Sequence, residues 1–189
     1  MADQRLILAS RSTARRSMLT GAGVVFTTRD ANLDEDAIKA SMPGRAPAEV
    51  AVELAQAKAK TVSQSDPGAW VLGSDQILDL DGTMVSKPAT PKEARSRLMA
   101  MRGQTHELYS AVALARGGEV VWSGGDTARM SMRDFSDEFL GSYLEHEGEA
   151  LLACVGPNRL EGLGAQSFDR VEGDYYTVLG LPLRLVLTQ

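Results

Sequence analysis

The sequence has 189 residues, 43% of them hydrophobic, and a formal net charge of −5. A chain of this size can bury a substantial core as one domain over residues 1–189, and its acidic balance excludes broad nucleic-acid binding, which needs a basic face. The sequence has no apolar run near the ~20 residues of a membrane helix, no signal-peptide pattern and one cysteine, Cys154, which favours a reducing cytoplasm without disulfides or membrane attachment.

The first half of the chain predicts strands that alternate with helices. Short apolar runs bounded by glycine or hydroxyl residues indicate strands, and stretches rich in alanine, glutamate, glutamine and lysine indicate helices. Acidic residues followed by Pro43-Gly44 indicate a loop. The predicted elements are a strand at 6–9, a helix at 15–19, a second strand at 24–28, a loop over 34–44 and a long helix at 48–63.

The second half predicts hairpins and capped helices. Asp81-Gly82 and Gly117-Gly118 are hairpin signals between apolar runs, and Thr90 before Pro91 is a helix start. Strands and helices interleave without a clean βαβ repeat, which predicts a mixed α/β sheet. The predicted elements are a strand at 70–75 ending in a polar turn, strands on both sides of each hairpin turn, helices at 91–101, 136–146 and 181–187, and a loop with a short strand over 156–173.

An anion site is one interpretation of the segment that follows the first strand. Ser10, Ser12 and Arg15 lie where a helix begins, and backbone N–H groups there, with hydroxyls and a guanidinium, can bind phosphate. The alternative is a capped surface helix with solvated arginines. The Gly-x-x-x-x-Gly-Lys pattern of a Walker loop is absent from the sequence.

Four charged residues elsewhere could serve phosphate chemistry. Asp75 follows an apolar strand and could hold Mg²⁺ or orient a water, although aspartate is also frequent in turns. Lys58 and Lys87 could neutralise phosphate charge, and Glu35 could bind a metal. Taken singly, each has a structural explanation.

These residues occur in one order along nearly the whole chain, and so many ordered matches are highly specific. In that order the sequence resembles the Maf family of nucleotide pyrophosphatases. The matching segments are Leu8-Ala9-Ser10-x-Ser12 with Arg15, Asp34-Glu35, Leu54-Ala55-x-x-Lys58-Ala59, Gly73-Ser74-Asp75, Lys87-Pro88, Glu161-Gly162-Leu163-Gly164, Glu172-Gly173-Asp174-Tyr175 and Gly180-Leu181-Pro182-Leu183.

The resemblance implies a fold, an activity and a set of residue roles. The implied fold is an elongated mixed β-sheet flanked by helices, with two lobes around a cleft, akin to the inosine triphosphate pyrophosphatases. The implied reaction is hydrolysis of a nucleoside triphosphate between its α and β phosphates with Mg²⁺ or Mn²⁺, and a homodimer is compatible with the family. The implied roles are phosphate binding for Ser10, Ser12 and Arg15, charge stabilisation for Lys58 and Lys87, and metal binding for Glu35 and Asp75, with Asp75 as the base.

The sequence departs from the commonest family pattern in ways that bear on the substrate. Ala14 replaces one of two arginines, which is expected to weaken phosphate affinity. Gln76 and Glu161 replace the Thr and Gln of the branch that resembles dTTP/UTP pyrophosphatases, and Cys154 lies in place of a lysine-containing segment. These changes resemble the branch that acts on 7-methyl-GTP. A carboxylate at 161 can accept from N1–H and the N2 amino group of guanine, a donor pair that a pyrimidine lacks.

Three functions therefore remain open at this point. The sequence favours a pyrophosphatase for 7-methyl-GTP that clears this nucleotide from the pool. The first alternative keeps the chemistry and changes the substrate to dTTP, UTP or their modified forms. The second is a non-catalytic nucleotide-binding regulator of septum formation, which would not require a base such as Asp75.

Overall fold

A computed structural model describes residues 5–189, which form a mixed α/β structure. Seven strands make one sheet in the order β2-β1-β3-β5-β6-β7, with β4 paired to β3. The strands are β1 (Leu6–Ala9), β2 (Thr27–Thr28), β3 (Trp70–Leu80), β4 (Thr83–Val85), β5 (Thr105–Arg116), β6 (Glu119–Met132) and β7 (Phe168–Glu172). The α-helices are α1 (Thr13–Gly21), α2 (Glu35–Ala40), α3 (Pro47–Ser65), α4 (Pro91–Met101), α5 (Asp137–Glu147), α6 (Tyr175–Val178) and α7 (Leu183–Leu187).

The sheet contains both parallel and antiparallel pairs. Strand β1 runs parallel to β2 and to β3, whereas β3 pairs antiparallel with β4 and β6 pairs antiparallel with β7. The turn between β5 and β6 is formed by Gly117 and Gly118, which have φ values of 59° and 86° and so occupy the left-handed region that glycine tolerates. The predicted mixed α/β sheet with flanking helices is confirmed.

Side-chain caps explain why three of the helices begin where they do. The hydroxyl of Ser12 accepts from the backbone N of Arg15 at 3.3 Å, and the hydroxyl of Thr90 accepts from the N of Glu93 at 3.2 Å. Ser136 caps α5 in the same way. Each cap satisfies a backbone donor that has no partner inside the helix.

The chain divides into two compact units, each with its own buried residues. One unit comprises residues 5–76, 109–126 and 175–189, and the other comprises residues 77–108 and 127–174. A cluster that includes Leu8, Leu19, Leu72, Val112 and Leu181 forms a core of the first unit. In the second unit the fully buried residues include Leu78, Leu98, Met101, Met130, Leu140 and Leu151. No helix within residues 5–189 has the length and apolar character needed to cross a membrane.

Two sequence predictions about local structure were wrong at positions that matter for the site. Asp75 does not lie in a turn at the end of a strand, because β3 continues through Leu80. Glu35 lies in a helix and not in a loop: Asp34 caps α2 by accepting from the N of Ala37 at 2.9 Å. Acidic side chains are stabilised in the first turn of a helix, which explains why the acidic run at 34–36 begins one.

Two smaller differences concern element lengths. The second strand is limited to Thr27–Thr28 and does not extend over 24–28, and the short helix α6 before Gly180 was not predicted. Within α6, Thr177 and Val178 are buried, so its contacts with the rest of the unit, rather than helix propensity, stabilise this single turn.

Helix α3 packs unusually close to β3 at Gly73. A Cβ atom placed on Gly73 would lie 2.7 Å from the backbone N of Ala59 and 3.0 Å from its Cβ. Glycine inside a strand often marks such a close approach of another backbone. The contact places Lys58, one residue before Ala59, next to Asp75, two residues beyond Gly73.

Candidate active site

The first unit contains an amine held between two carboxylates. Nζ of Lys58 donates to Oδ1 of Asp75 at 2.5 Å and lies 2.8 Å from Oε1 of Glu35. The side chains of Lys58 and Asp75 are 11% and 9% exposed, whereas that of Glu35 is 44% exposed. A buried, paired cluster that retains one exposed member is suited to receive a charged ligand from solvent.

Three different elements bring these side chains together. Lys58 lies on the long helix α3, Asp75 lies in the middle of β3, and Glu35 is the first residue of α2. Asp75 is therefore fixed by a strand and Lys58 by a helix. The sequence predicted all three residues, and the structure brings Glu35 and Asp75 each within hydrogen-bonding distance of Lys58.

The predicted phosphate-binding residues form a second group in the same unit. The backbone N of Ser12 donates to Oγ of Ser10 at 3.2 Å, and Nη1 of Arg15 donates to the same Oγ at 3.2 Å. Burial lowers the pKa of Arg15, while Asp75 and Glu35 act in the opposite direction. The guanidinium therefore lies within electrostatic range of both carboxylates, beside the first turn of α1, where backbone N–H groups favour an anion.

Hydrogen bonds that the sequence did not predict connect the C-terminal segment of this unit to the predicted phosphate-binding residues. The carbonyl oxygen of Gly180 accepts from Nε of Arg15 at 2.7 Å and from Oγ of Ser74 at 3.1 Å. Nε2 of Gln76 donates to the carbonyls of Thr177 and Val178 at 3.1 and 3.0 Å. The only sequence signal was the pattern that begins at Gly180, which did not indicate a contact with Arg15.

Glu35 and Asp75 fit the requirements of a hard divalent cation. Their oxygens Oε1 and Oδ1 both lie within 2.8 Å of the Lys58 ammonium, so the two carboxylates already converge on one positive charge. Within residues 5–189, no group of three histidine, cysteine, aspartate or glutamate side chains is placed to hold a metal ion. Two carboxylates suffice where substrate phosphates complete the shell, as is usual for Mg²⁺.

The second unit contains the other two predicted site residues, Lys87 and Glu161. Lys87 is exposed, and its positive charge acts to lower the pKa of the Cys154 thiol. Glu161 accepts from Nε of Arg159 at 3.3 Å, and Nη1 of Arg159 donates to the buried Glu147 at 2.8 Å. Burial acts to lower the pKa of Arg159, but its bonds to Glu147 and Glu161 more than offset this and raise the pKa.

Cys154 and His106 are half-buried and buried, respectively, and neither is suited to catalysis. Burial raises the pKa of the Cys154 thiol and so disfavours the nucleophilic thiolate. Burial lowers the pKa of His106 to about 4, and its Nδ1 has no hydrogen-bond partner. These placements agree with the sequence analysis, which assigned no chemistry to Cys154.

Fold and site together define a mixed α/β protein with a lysine–carboxylate centre and with Arg15 at the first turn of α1, an arrangement suited to phosphoryl chemistry. The chain belongs to the Maf family, because the family model described as a Maf-like protein matches residues 5–189.

Two named relatives bear on the same identification. A nucleoside triphosphate pyrophosphatase of Paramagnetospirillum magneticum is 50% identical over 94% of this chain and 92% of its own. A 7-methyl-GTP pyrophosphatase of Brucella suis biovar 1 is 43% identical over 98% of this chain and 94% of its own. A crystal structure of a nucleoside-triphosphatase, or dITP/XTP pyrophosphatase, from Mycobacterium abscessus is similar with a TM-score of 0.41 and 15% identity, covering 79% of this chain and 97% of the other.

Proposed function

We propose that this chain, a nucleoside triphosphate pyrophosphatase, acts preferentially on 7-methyl-GTP and requires a divalent metal ion. The observation that carries the proposal is the ammonium of Lys58 held between Asp75 and Glu35, with Arg15 in electrostatic range of both carboxylates. A binding protein needs cations for phosphate, but it does not need a buried carboxylate positioned to accept a proton.

The reaction is an attack by water on the α phosphorus. A bond forms from the water oxygen to phosphorus, the bond to the bridging oxygen breaks, and the products are a nucleoside monophosphate and pyrophosphate. Asp75 accepts the proton of the water, and Lys58 neutralises charge on the reacting phosphate. Arg15, Ser10 and the N-terminal turn of α1 bind the phosphate tail.

Two further contributions complete the proposed mechanism. Glu35 and Asp75 would hold Mg²⁺ or Mn²⁺, which supplies neutralisation of phosphate charge and a more acidic water. Lys87 is assigned to the charge that develops as pyrophosphate leaves, because a lysine ammonium presents a compact point charge.

Glu161 is the residue proposed to select the base. Its carboxylate suits the N1–H and N2 amino donors of guanine, and N7 methylation makes that base cationic, which strengthens the attraction. The relatives named 7-methyl-GTP pyrophosphatase support this preference. Other relatives carry the broader name nucleoside triphosphate pyrophosphatase, which specifies no base, so dTTP or UTP is the alternative preference.

The experiment is a pyrophosphate-release screen over GTP, 7-methyl-GTP, dTTP, UTP and CTP with Mg²⁺, Mn²⁺ or EDTA. We expect the highest kcat/KM for 7-methyl-GTP and no turnover in EDTA. Glu161→Gln should reduce the preference for 7-methyl-GTP over UTP by about tenfold, the effect of one lost charge-assisted contact. Equal turnover of all bases would remove the proposed preference, and nucleotide binding without pyrophosphate release would favour a regulator.

Metal dependence has a readout that does not rely on turnover. Titration of the protein with Mn²⁺, followed by calorimetry or electron paramagnetic resonance in the presence of a non-hydrolysable nucleotide, should show binding that Glu35→Gln and Asp75→Asn each weaken. Unchanged Mn²⁺ affinity in both variants would assign the metal to other residues.

A further inference from the structure

We propose that Gln76 is a positioning residue for the phosphate site, and that it acts by holding the segment Thr177–Gly180 against Arg15. The proposal rests on the proposed function in one respect, the binding of phosphate by Arg15. This role goes beyond the base selection expected from the sequence.

The amide nitrogen of Gln76 is already occupied. Nε2 lies 3.1 Å from the carbonyl of Thr177, 3.0 Å from that of Val178 and 3.0 Å from Oγ of Ser110. An amide nitrogen carries two hydrogens, so three acceptors at this distance use its full donor capacity. The donor side of Gln76 is therefore used within the fold, where it fixes the carbonyls of Thr177 and Val178.

The segment held by Gln76 is buried and bonded from a second direction. Oγ of Ser110 donates to the carbonyl of Thr177 at 2.7 Å, and Oγ1 of Thr177 donates to Asp126 at 2.8 Å. Thr177 is 0% exposed and Ser110 is 1% exposed. Because buried carbonyls are costly to leave without a donor, loss of the Gln76 amide should displace this segment.

Gly180 transmits the position of the segment to Arg15. Its carbonyl accepts from Nε of Arg15 at 2.7 Å, which orients the guanidinium so that Nη1 meets Oγ of Ser10. Gly180 has a φ of +94°, and a Cβ there would lie 3.4 Å from Nη2 of Arg15 and 3.5 Å from Oε1 of Gln76. Arg15 and Gln76 therefore both lie close to Gly180, and a displacement of Gly180 would change the position of Arg15.

The test compares Gln76→Glu, which keeps the shape but turns the donor into an acceptor, with Gln76→Thr and Ser110→Ala. We expect KM for 7-methyl-GTP and for UTP to rise together by about tenfold in both Gln76 variants and by about threefold in Ser110→Ala, with kcat at saturation unchanged. The affinity for inorganic triphosphate, which has no base, should fall by the same factors. A changed ranking of bases with unchanged triphosphate affinity would show that Gln76 reads the base and would overturn the proposal.

A second arm tests the route through Arg15. In an Arg15→Ala background, Gln76→Thr should cause no further loss of triphosphate affinity, and a full additional loss would overturn this route. If Arg15→Ala alone leaves triphosphate affinity unchanged, the assigned role of Arg15 fails, which is a separate result from that of the Gln76 variants. A merely structural role for Gln76 predicts a lower active fraction, seen as reduced kcat with unchanged KM, and that outcome also contradicts the proposal.

Discussion

Lys58 and Arg159 each lie between two carboxylates, but the two clusters differ in what else they hold. Lys58 contacts Asp75 and Glu35, and Arg159 contacts Glu147 and Glu161. Both clusters combine one well-buried carboxylate with one that is more exposed, 9% against 44% around Lys58 and 4% against 33% around Arg159. Charge and burial alone therefore do not distinguish a reactive centre from a structural one.

The buried carboxylate of the Arg159 cluster also fixes backbone. Oε1 of Glu147 accepts from the backbone N of Leu163 at 3.2 Å, and a Cβ on Gly162 would lie 2.6 Å from the same oxygen. Arginine adds a planar fork that matches a carboxylate, whereas the lysine ammonium is a compact charge that exchanges partners readily. The Arg159 cluster thus anchors the backbone of the segment that carries Glu161, whereas the ion pairs of the Lys58 cluster join side chains to side chains.

The largest effect that would separate the clusters is expected from Asp75→Asn. Loss of the base should reduce kcat for pyrophosphate release by roughly 10³-fold while nucleotide affinity changes little. Stopped assays for pyrophosphate and equilibrium binding of a non-hydrolysable analogue measure the two quantities. Glu147→Gln is the matched control and should keep kcat within about tenfold of the parent. An equal fall of kcat in Asp75→Asn and Glu147→Gln would contradict the proposal that only the Lys58 cluster takes part in the chemistry.

Removal of the lysine should cost stability as well as activity. Lys58→Met leaves Asp75, whose side chain is 9% exposed, without its cation, and we expect the free energy of unfolding to fall by about 3 kcal/mol. Urea unfolding monitored by circular dichroism measures this change. Adding Asp75→Asn should restore part of the loss, because the unpaired carboxylate at position 75 is then gone; a double variant less stable than Lys58→Met would contradict the pairing.

Removal of the arginine should cost stability and leave kcat largely unchanged. Arg159→Met leaves Glu147 with the Leu163 amide as a remaining donor, and the arginine is 34% exposed, so we expect a smaller loss of about 2 kcal/mol. The value of kcat for GTP at saturation should stay within about threefold of the parent. A loss of kcat comparable to that in Asp75→Asn would place Arg159 in the chemistry.

The smallest expected effect is a pH dependence of the free energy of unfolding, and it arises in the unit that contains Arg159. Burial lowers the pKa of His106 to about 4, so the unfolded state binds a proton before the folded state does, and stability is lost as pH falls below about 6.5. We expect a loss of about 1 kcal/mol between pH 8 and pH 6, continuing until pH 4. His106→Leu should remove this slope in urea titrations, whereas His146→Gln, at an exposed position, should retain it; a slope unchanged by His106→Leu would assign the dependence to other groups.

Local signals in the sequence were sufficient for most elements of the fold. Thr90 with Pro91 and Ser136 marked the starts of α4 and α5, and Gly117-Gly118 marked the turn between β5 and β6. These signals act over a few residues and do not depend on tertiary contacts. The same signals were also present at Asp34, whose capping role was not recognised because the acidic run was interpreted as a loop.

The errors at the site arise from contacts between distant segments. Gly73-Ser74-Asp75-Gln76 has the composition of a turn, yet it continues β3 because Lys58 neutralises Asp75 and because α3 needs a glycine at 73. The bonds from Gln76 to Thr177 and Val178 span about a hundred residues, and no local pattern indicates them. The roles assigned to Lys87 and Glu161 stay predictions, and Glu161→Gln tests the second of them.

The absence of a side chain at Gly73 limits how this protein can vary over evolutionary time. Even a methyl group at that position would meet the backbone around Ala59 and push the lysine-bearing helix outward. Ala55 and Ala59 are fully buried and already small, so neither side chain could be shortened enough to make room for that methyl group. Positions 55, 59 and 73 should therefore change together or not at all. In a variant library that changes position 73 alone, the amount of folded protein should fall before any single step of the reaction is impaired.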